Sequence, residues 1–235
     1  LEKTREAYLA AFVKEDGTMT DDYQGAYIMA LRFVIPRGEL WNKVFVRLVE
    51  KLRAEGMQTG FFATEHLLPL LADNGEAKLA FDLLFQEECP GWMYQVKRGA
   101  TTIWERWDAL RPDGTVNESK MSDDNMVSFN HYAFGSVGEF YYRYILGIQP
   151  AEPGFARVRV HPFMDARLGN VEGSYRSRAG EIQVSWQIRE GSAALEVETP
   201  VPAEIVLPNG EVKQVSAGTY RYQRGGCTDA GASFR

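Results

Sequence analysis

Apolar residues recur every three or four positions in the first part of the chain. A clear stripe runs through Leu40, Val44, Leu48 and Leu52, and Phe45 and Val49 widen it. This period of about 3.6 residues places apolar side chains on one face of an α-helix. We predict that residues 1–148 are almost entirely helical, with an irregular aromatic-rich segment near 90–100. The last helix is predicted over residues 129–146, with Phe134, Val137, Tyr141, Tyr144 and Ile145 on its apolar side.

After Pro150 the pattern changes to alternation of apolar and polar residues. Residues 181–188 (EIQVSWQI) and 193–199 (AALEVET) are clear examples. Such alternation is typical of half-buried β-strands, and Asn209-Gly210 is a hairpin turn sequence. Several short strands joined by turns predict a small antiparallel β-sandwich.

The change of period divides the chain into two predicted domains. We place a helical domain at residues 1–149 and a β-sandwich domain with a loose tail at 150–235. Successive helices joined by short turns are typical of a helical-hairpin toroid, which closes with about a dozen helices. The helical domain has about six, so we expect it to be half of such a barrel. Because the helical pattern is already running at Leu1, we expect the chain to be part of a longer polypeptide.

Charge and composition exclude several classes of protein. Lys and Arg number 26 against 32 Asp and Glu, for a net charge of −6. A broad basic surface is therefore missing, and nucleic acid is not an expected partner. No stretch reaches the roughly 18 consecutive apolar residues of a membrane span, so we expect a soluble protein with no membrane partner. Two cysteines without framework spacing do not predict a disulfide, and they leave the cytoplasm and the periplasm both open.

The densest candidate chemistry lies around a glutamate. Three of the five tryptophans, Trp92, Trp104 and Trp107, occur close together, and Glu105 lies between the last two. Indole faces beside a carboxylate are typical of a sugar-binding site, where the ring stacks on the sugar and the carboxylate acts on water or a hydroxyl. The alternative is a structural glutamate paired with Arg106 or Lys97 in an ordinary aromatic core.

His131 is a second candidate, at the predicted start of the last helix. Its ring could bind a substrate hydroxyl or satisfy a loop carbonyl. The three histidines lie too far apart in sequence to form a metal motif, and dinucleotide, P-loop and serine-hydrolase motifs are missing from the sequence. Neither a metal nor a cofactor is predicted.

Two long motifs carry a family resemblance. The segments GATTIWERWD (residues 99–108) and SFNHYAFG (128–135), with the strand region that follows, resemble the C-terminal third of bacterial α-L-rhamnosidases of glycoside hydrolase family 78. The resemblance implies part of an (α/α)6 barrel followed by a β-sandwich. It also implies hydrolysis of terminal α-L-rhamnosyl bonds with inversion, which requires a general base and a general acid.

The resemblance assigns roles to individual residues. It implies that Glu105 is the general base and that His131 contacts a sugar hydroxyl, while Trp104 and Trp107 are the indoles expected to bind substrate. The segment that carries the family's general acid has no counterpart in this sequence, so we expect half a site and an inactive isolated chain. The expected ligand is a rhamnose-containing glycan or glycoside.

Two other functions are compatible with the sequence. The strand domain could be a non-catalytic carbohydrate-binding module, and the helices could be a scaffold for protein partners. A half-barrel would also leave an apolar helical face exposed, which could pair two copies in a homodimer.

Overall fold

The computed structural model describes residues 1–117 and 127–223. These residues divide into two compact units, with the division between Val137 and Gly138. Most of the helices lie in the first unit, and both β-sheets lie in the second. The loose tail predicted at the end of the chain lies outside the described residues, as does Cys227.

The described residues contain seven α-helices, which range from 4 to 17 residues in length. A π-helical turn over Ala30–Val34 continues α2, a 3₁₀ turn over Ala133–Ser136 precedes α7, and a π-helical turn over Tyr141–Ile145 follows it. The α-helices are α1 Glu2–Phe12, α2 Gln24–Met29, α3 Glu39–Glu55, α4 Phe61–Ala72, α5 Ala77–Leu84, α6 Trp92–Lys97 and α7 Val137–Phe140.

Helix α3 shows how the apolar period builds the core of the helical unit. Val44, Leu48 and Leu52 are buried as the stripe predicts, but Trp41 is buried in place of Leu40. The Trp41 Nε1–H donates to the carbonyl oxygen of Leu31 at 3.0 Å, which draws the indole inward. Burying each such side chain stabilises the unit by about 1.5–3 kcal/mol.

Helix α1 differs from the other predicted helices because none of its side chains is buried. Leu9 and Phe12 lie on its apolar positions, and Phe12 is exposed. The helix forms where the period predicts it, but the described residues bury none of its side chains fully.

The last helix begins later than predicted. The segment before Ala133 is not helical, because the main-chain N–H of His131 donates to Ile103 and the carbonyl of Ser128 accepts from Glu105. These backbone groups are therefore unavailable for helical hydrogen bonds.

The face of this last helix also differs from the prediction. Its opening 3₁₀ turn has three residues per turn, so Phe134 and Val137 are followed on the buried side by Phe140. Tyr141, which we placed on that side, is exposed.

The irregular segment lies further along the chain than predicted. Helix α6 occupies most of residues 90–100, where Trp92 and Tyr94 are buried and anchor the helix. Irregular backbone then follows through the described residues 98–117 and 127–132, apart from an isolated bridge between Leu110 and Val116. This segment carries both Glu105 and His131.

The second unit contains two four-stranded sheets. Their orders are β1-β2-β6-β7 and β3-β4-β5-β8. The strands are β1 Ile148–Pro150, β2 Val158–Val160, β3 Asn170–Ser177, β4 Gly180–Arg189, β5 Ser192–Thr199, β6 Ala203–Val206, β7 Val212–Val215 and β8 Gly218–Gln223.

Buried side chains alternate with more exposed ones along β4, as the sequence predicts for this unit. Ile182, Val184 and Trp186 are buried, while Gln183 between them is exposed. Two features differ from the prediction: β2 and β6 pair in parallel, and the apolar pattern did not indicate β1 or β3. Strand β3 has few apolar residues, and its eight-residue register against β4 holds it in the sheet.

Candidate active site

A short backbone pairing brings Glu105 and His131 together. The N–H of His131 donates to the carbonyl of Ile103 at 2.8 Å, and the N–H of Glu105 donates to the carbonyl of Ser128 at 2.9 Å. The two segments run in opposite directions, as in a small antiparallel ladder. The two polar residues that the sequence analysis selected therefore lie on neighbouring stretches of chain.

The carboxylate of Glu105 is half-buried and oriented by the same pairing. Its Oε2 accepts a hydrogen bond from the N–H of Ser128 at 2.8 Å. A backbone N–H on a carboxylate makes a charge-assisted bond that fixes the group's direction. The two alternative partners instead pair elsewhere, Arg106 with Asp108 and Lys97 with Glu87.

Glu105 lies in the wall of a cavity of about 390 Å³. This volume is within the range of small-molecule sites. The wall combines aromatic and apolar side chains with a few polar groups: Gln58, Thr59, Gly60, Phe61, Cys89, Pro90, Glu105, Arg106, Trp107, Asp108 and Phe134.

The two tryptophans beside Glu105 are part of the core. Trp107 is 9% exposed, stacks on Phe134 with ring centroids 3.7 Å apart, and donates from Nε1 to the carbonyl of Thr59 at 2.8 Å. Trp104 is 3% exposed and packs edge-on against Phe129. Trp107 lines the cavity and Trp104 is not among its lining residues. Their predicted sugar contacts stay predictions. One face of the Trp107 indole is occupied by its stack on Phe134.

The ring of His131 lies between two other aromatic rings. It stacks on Phe61 at 4.8 Å and on Tyr132 at 5.2 Å between centroids. Its Nδ1 accepts from the N–H of Ala133 at 3.3 Å, so the neutral imidazole carries its proton on Nε2. The ring can then offer an Nε2–H donor at its edge. This arrangement suits a hydrogen bond to a sugar hydroxyl.

An ion pair that the sequence motifs did not indicate adjoins Glu105. Arg106 and Asp108 form a double hydrogen bond, with Nε to Oδ1 and Nη2 to Oδ2 both 3.1 Å, and Asn117 donates to Oδ2. The opposite charges two residues apart in the run WERWD were the available signal. Both members of the ion pair line the cavity.

Cys89 also lines the cavity and was not selected. Burial is the main cause that raises the pKa of its thiol, and the negative charge of Asp108 raises it further. Cys89 is therefore a neutral thiol near pH 7. Within residues 1–117 and 127–223 it is a free cysteine.

Two domains of one known family match almost the whole chain. Residues 1–145 match the bacterial alpha-L-rhamnosidase 6 hairpin glycosidase domain, and residues 147–221 match the bacterial alpha-L-rhamnosidase C-terminal domain. The chain belongs to the bacterial α-L-rhamnosidase family.

Individual rhamnosidases are similar along almost the whole chain. An alpha-L-rhamnosidase of Streptomyces avermitilis is 35% identical over 96% of this chain and 22% of its own length. One from Alteromonas sp. is 33% identical over 92% of this chain and 25% of its own length. The chain thus spans about a quarter or less of the curated rhamnosidases it matches.

Solved rhamnosidase structures share the fold. The Streptomyces avermitilis alpha-L-rhamnosidase complexed with L-rhamnose superposes with a TM-score of 0.87, at 32% identity over 95% of this chain and 24% of that one. The Aspergillus terreus enzyme gives 0.86, at 32% identity over 94% and 26%.

Among the described residues of this rhamnosidase-family chain, no group of three or more His, Cys, Asp or Glu side chains could hold a metal ion. In the same ranges, no helix is long and apolar enough to cross a membrane.

Proposed function

We propose that this chain supplies the general-base half of the active site of an inverting α-L-rhamnosidase. Glu105 is the base, and the substrate is a glycan or glycoside that ends in an α-L-rhamnosyl group. The observation that carries the proposal is the Glu105 carboxylate in the cavity wall, with Oε2 held by the Ser128 N–H. Family membership supports glycoside hydrolysis as the class of reaction, and the similar Streptomyces avermitilis structure contains L-rhamnose.

The reaction needs two proton transfers. Glu105 takes a proton from water as the water oxygen bonds to the anomeric carbon. The bond from that carbon to the leaving oxygen breaks, and a carboxylic acid on the opposite side of the sugar protonates the leaving oxygen. The two carboxyl groups are about 6.5–9.5 Å apart in inverting enzymes, which leaves room for the water.

We infer that the general acid belongs to a part of the rhamnosidase that this chain does not span. Asp108 is the second carboxylate lining the cavity, but Arg106 engages both of its oxygens and Asn117 donates to one. An acid catalyst must present a protonated oxygen to the leaving group, and an aspartate in this ion pair is poorly suited to that role.

We further propose that the helices of residues 1–149 are half of an (α/α)6 barrel, followed by a β-sandwich over 150–235. The match to a six-hairpin domain and the two four-stranded sheets support this organisation. In such a barrel, the remaining hairpins would complete the wall opposite Glu105.

Joining this chain to the remainder of a rhamnosidase tests the proposed function. We would replace the matching C-terminal part of the Streptomyces avermitilis relative with this chain and follow hydrolysis of an aryl α-L-rhamnoside by NMR. The first product is expected to be β-L-rhamnose, whereas the chain alone is expected to release none. If α-L-rhamnose forms first, the inverting mechanism is wrong; if the isolated chain turns over at the rate of the joined enzyme, the half-site proposal is wrong.

A carbohydrate-binding module in the strand unit is less well supported. Its tryptophan, Trp186, is buried, and Nε1 donates to the carbonyl of Ile145 at 2.7 Å. The indole is thus a core residue and offers no stacking face to a sugar. The described residues likewise give no specific support to a helical scaffold for other proteins.

The isolated chain is expected to self-associate through its helical unit. Phe62 is 82% exposed, and Phe33 and Tyr23 are also exposed. Covering such side chains is favourable by about 25 cal/mol per Å² of apolar surface, so we propose that a second copy covers them when no other chain does. Sedimentation at rising concentration should show a dimer, and the pair Phe62→Ser and Phe33→Ser should weaken it.

Val212→Ser provides the matched control, because Val212 is an exposed apolar residue of the strand unit. It should leave the association unchanged. A monomer at every concentration, or equal weakening by the Val212 variant, would rule out the helical face as a homodimer surface.

A further inference from the structure

The side chain of Gln95 connects the main-chain groups on either side of Glu105. Gln95 lies in α6 and is 2% exposed. Its Oε1 accepts from the N–H of Trp104 at 3.4 Å, and its Nε2 donates to the carbonyl of Arg106 at 3.4 Å. A buried amide needs such partners, because an unpaired one costs free energy. The amide therefore bridges the residues before and after Glu105.

A second contact holds Glu105 through another segment. The carbonyl of Ser128 accepts from the N–H of Glu105, and the N–H of Ser128 donates to the carboxylate Oε2. Gln95 thus fixes the backbone that carries Glu105, while Ser128 fixes both that backbone and the direction of the carboxylate. The segment has no regular secondary structure of its own, so these contacts replace the hydrogen bonds of a helix or a strand.

We propose that Gln95 is a positioning residue for Glu105. The inference rests on the proposed function, in which Glu105 takes a proton from the attacking water. A base acts efficiently only when its oxygen is held close to the required geometry, and small displacements lower the rate steeply. Gln95 touches neither the water nor the sugar in this role, and it acts through the main chain on both sides of residue 105.

The test is a double-mutant cycle in the joined rhamnosidase. Gln95→Met keeps the approximate length of the side chain and removes both hydrogen bonds. We expect kcat to fall about 3- to 10-fold, as for loss of one or two neutral hydrogen bonds, with KM changed less than about twofold. In a Glu105→Gln background, Gln95→Met should not lower kcat further, because the carboxylate that Gln95 positions is already absent.

Thr199→Val is the matched control for loss of a buried side-chain hydrogen bond. Thr199 is buried in the strand unit, and its hydroxyl bonds the backbone of Val201. This variant should lower stability without changing kcat. If Gln95→Met behaves in the same way, or if its loss of rate multiplies with that of Glu105→Gln, Gln95 has only a structural role.

A measurement without activity gives an independent readout on this chain alone. Hydrogen exchange of the Trp104 amide should become about 2- to 10-fold faster in Gln95→Met, because its acceptor is removed. Unchanged exchange would show that Gln95 does not hold the Trp104 amide, and would overturn the inference. Near-normal turnover of Glu105→Gln would overturn the proposed function itself, whereas normal kcat of Gln95→Met beside an inactive Glu105→Gln would overturn only the inference about Gln95.

Discussion

Replacing Glu105 with Gln in the joined rhamnosidase is expected to lower kcat by about 10²–10⁴-fold, the usual cost of losing a general base. The amide is nearly the same size, and it can still accept the hydrogen bond that Ser128 N–H donates to Oε2. The site should therefore keep its shape, and KM should change little. Steady-state kinetics on an aryl α-L-rhamnoside measure both constants.

Azide distinguishes loss of the base from loss of the fold. It attacks the anomeric carbon without giving up a proton, so it should restore turnover of Glu105→Gln and yield β-L-rhamnosyl azide. Glu152→Gln, at an exposed position of the second unit, is the control and should keep normal kcat. Near-normal turnover of Glu105→Gln without azide would show that Glu105 is only a structural carboxylate between two tryptophans.

Variants of His131 provide the contrast for a binding role. Gln can place an N–H donor near the position of Nε2, whereas Asn reaches only the position of Nδ1, which accepts from Ala133. If His131 donates to a sugar hydroxyl, His131→Gln should raise KM less than His131→Asn. One neutral hydrogen bond contributes about 0.5–1.5 kcal/mol, so His131→Asn should raise KM by roughly 2- to 12-fold. Equal kinetics for the two variants would contradict the donor role.

Replacing Trp107 with Ala is expected to lower the free energy of unfolding of the helical unit by about 3–5 kcal/mol. The change removes a buried indole, its stack on Phe134 and its hydrogen bond to Thr59. Urea unfolding of this chain, monitored by tryptophan fluorescence, measures this free energy of unfolding. Trp41, Trp92, Trp104 and Trp107 belong to this unit, so the signal reports mainly its unfolding.

Tyr132→Ala is the control for loss of an exposed aromatic ring from the same irregular part of the chain. Tyr132 is 87% exposed, so its removal should change the stability by no more than about 0.5 kcal/mol. If Trp107→Ala keeps normal stability but weakens rhamnose binding, Trp107 is primarily a sugar contact, as the sequence predicts, and its burial does not determine the stability of the unit.

The local apolar period determined much of the fold. The spacing of Val44, Leu48 and Leu52 predicts a helix because one face of a helix must be buried. The apolar residues of that face are close together in the sequence, so the pattern can be recognised locally. The alternation around Trp186 predicts a strand for the same reason. Strand β3 could not be predicted in this way, because its register against β4 stabilises a segment that has little apolar pattern.

Sequence selected Glu105 and His131 through their aromatic surroundings and their family motifs. It could not show how the two segments meet, because the pairing of Ile103 with His131 and of Glu105 with Ser128 joins residues more than 20 positions apart. That pairing also prevented the last helix from beginning at residue 129.

The state of each side chain in the site was likewise decided by tertiary structure. In sequence, indoles beside a carboxylate predict a sugar-stacking site whether the rings are exposed or buried. Only the structure shows that Trp104 and Trp107 are buried and pack against the core. Gln95 carries no motif at all, because an amide that bonds to backbone groups across a loop has no fixed sequence spacing. The sequence by itself determined the elements with a clear apolar period and the residue types that could do the chemistry. Long-range backbone contacts decided the remaining elements, where Glu105 lies and what holds it there.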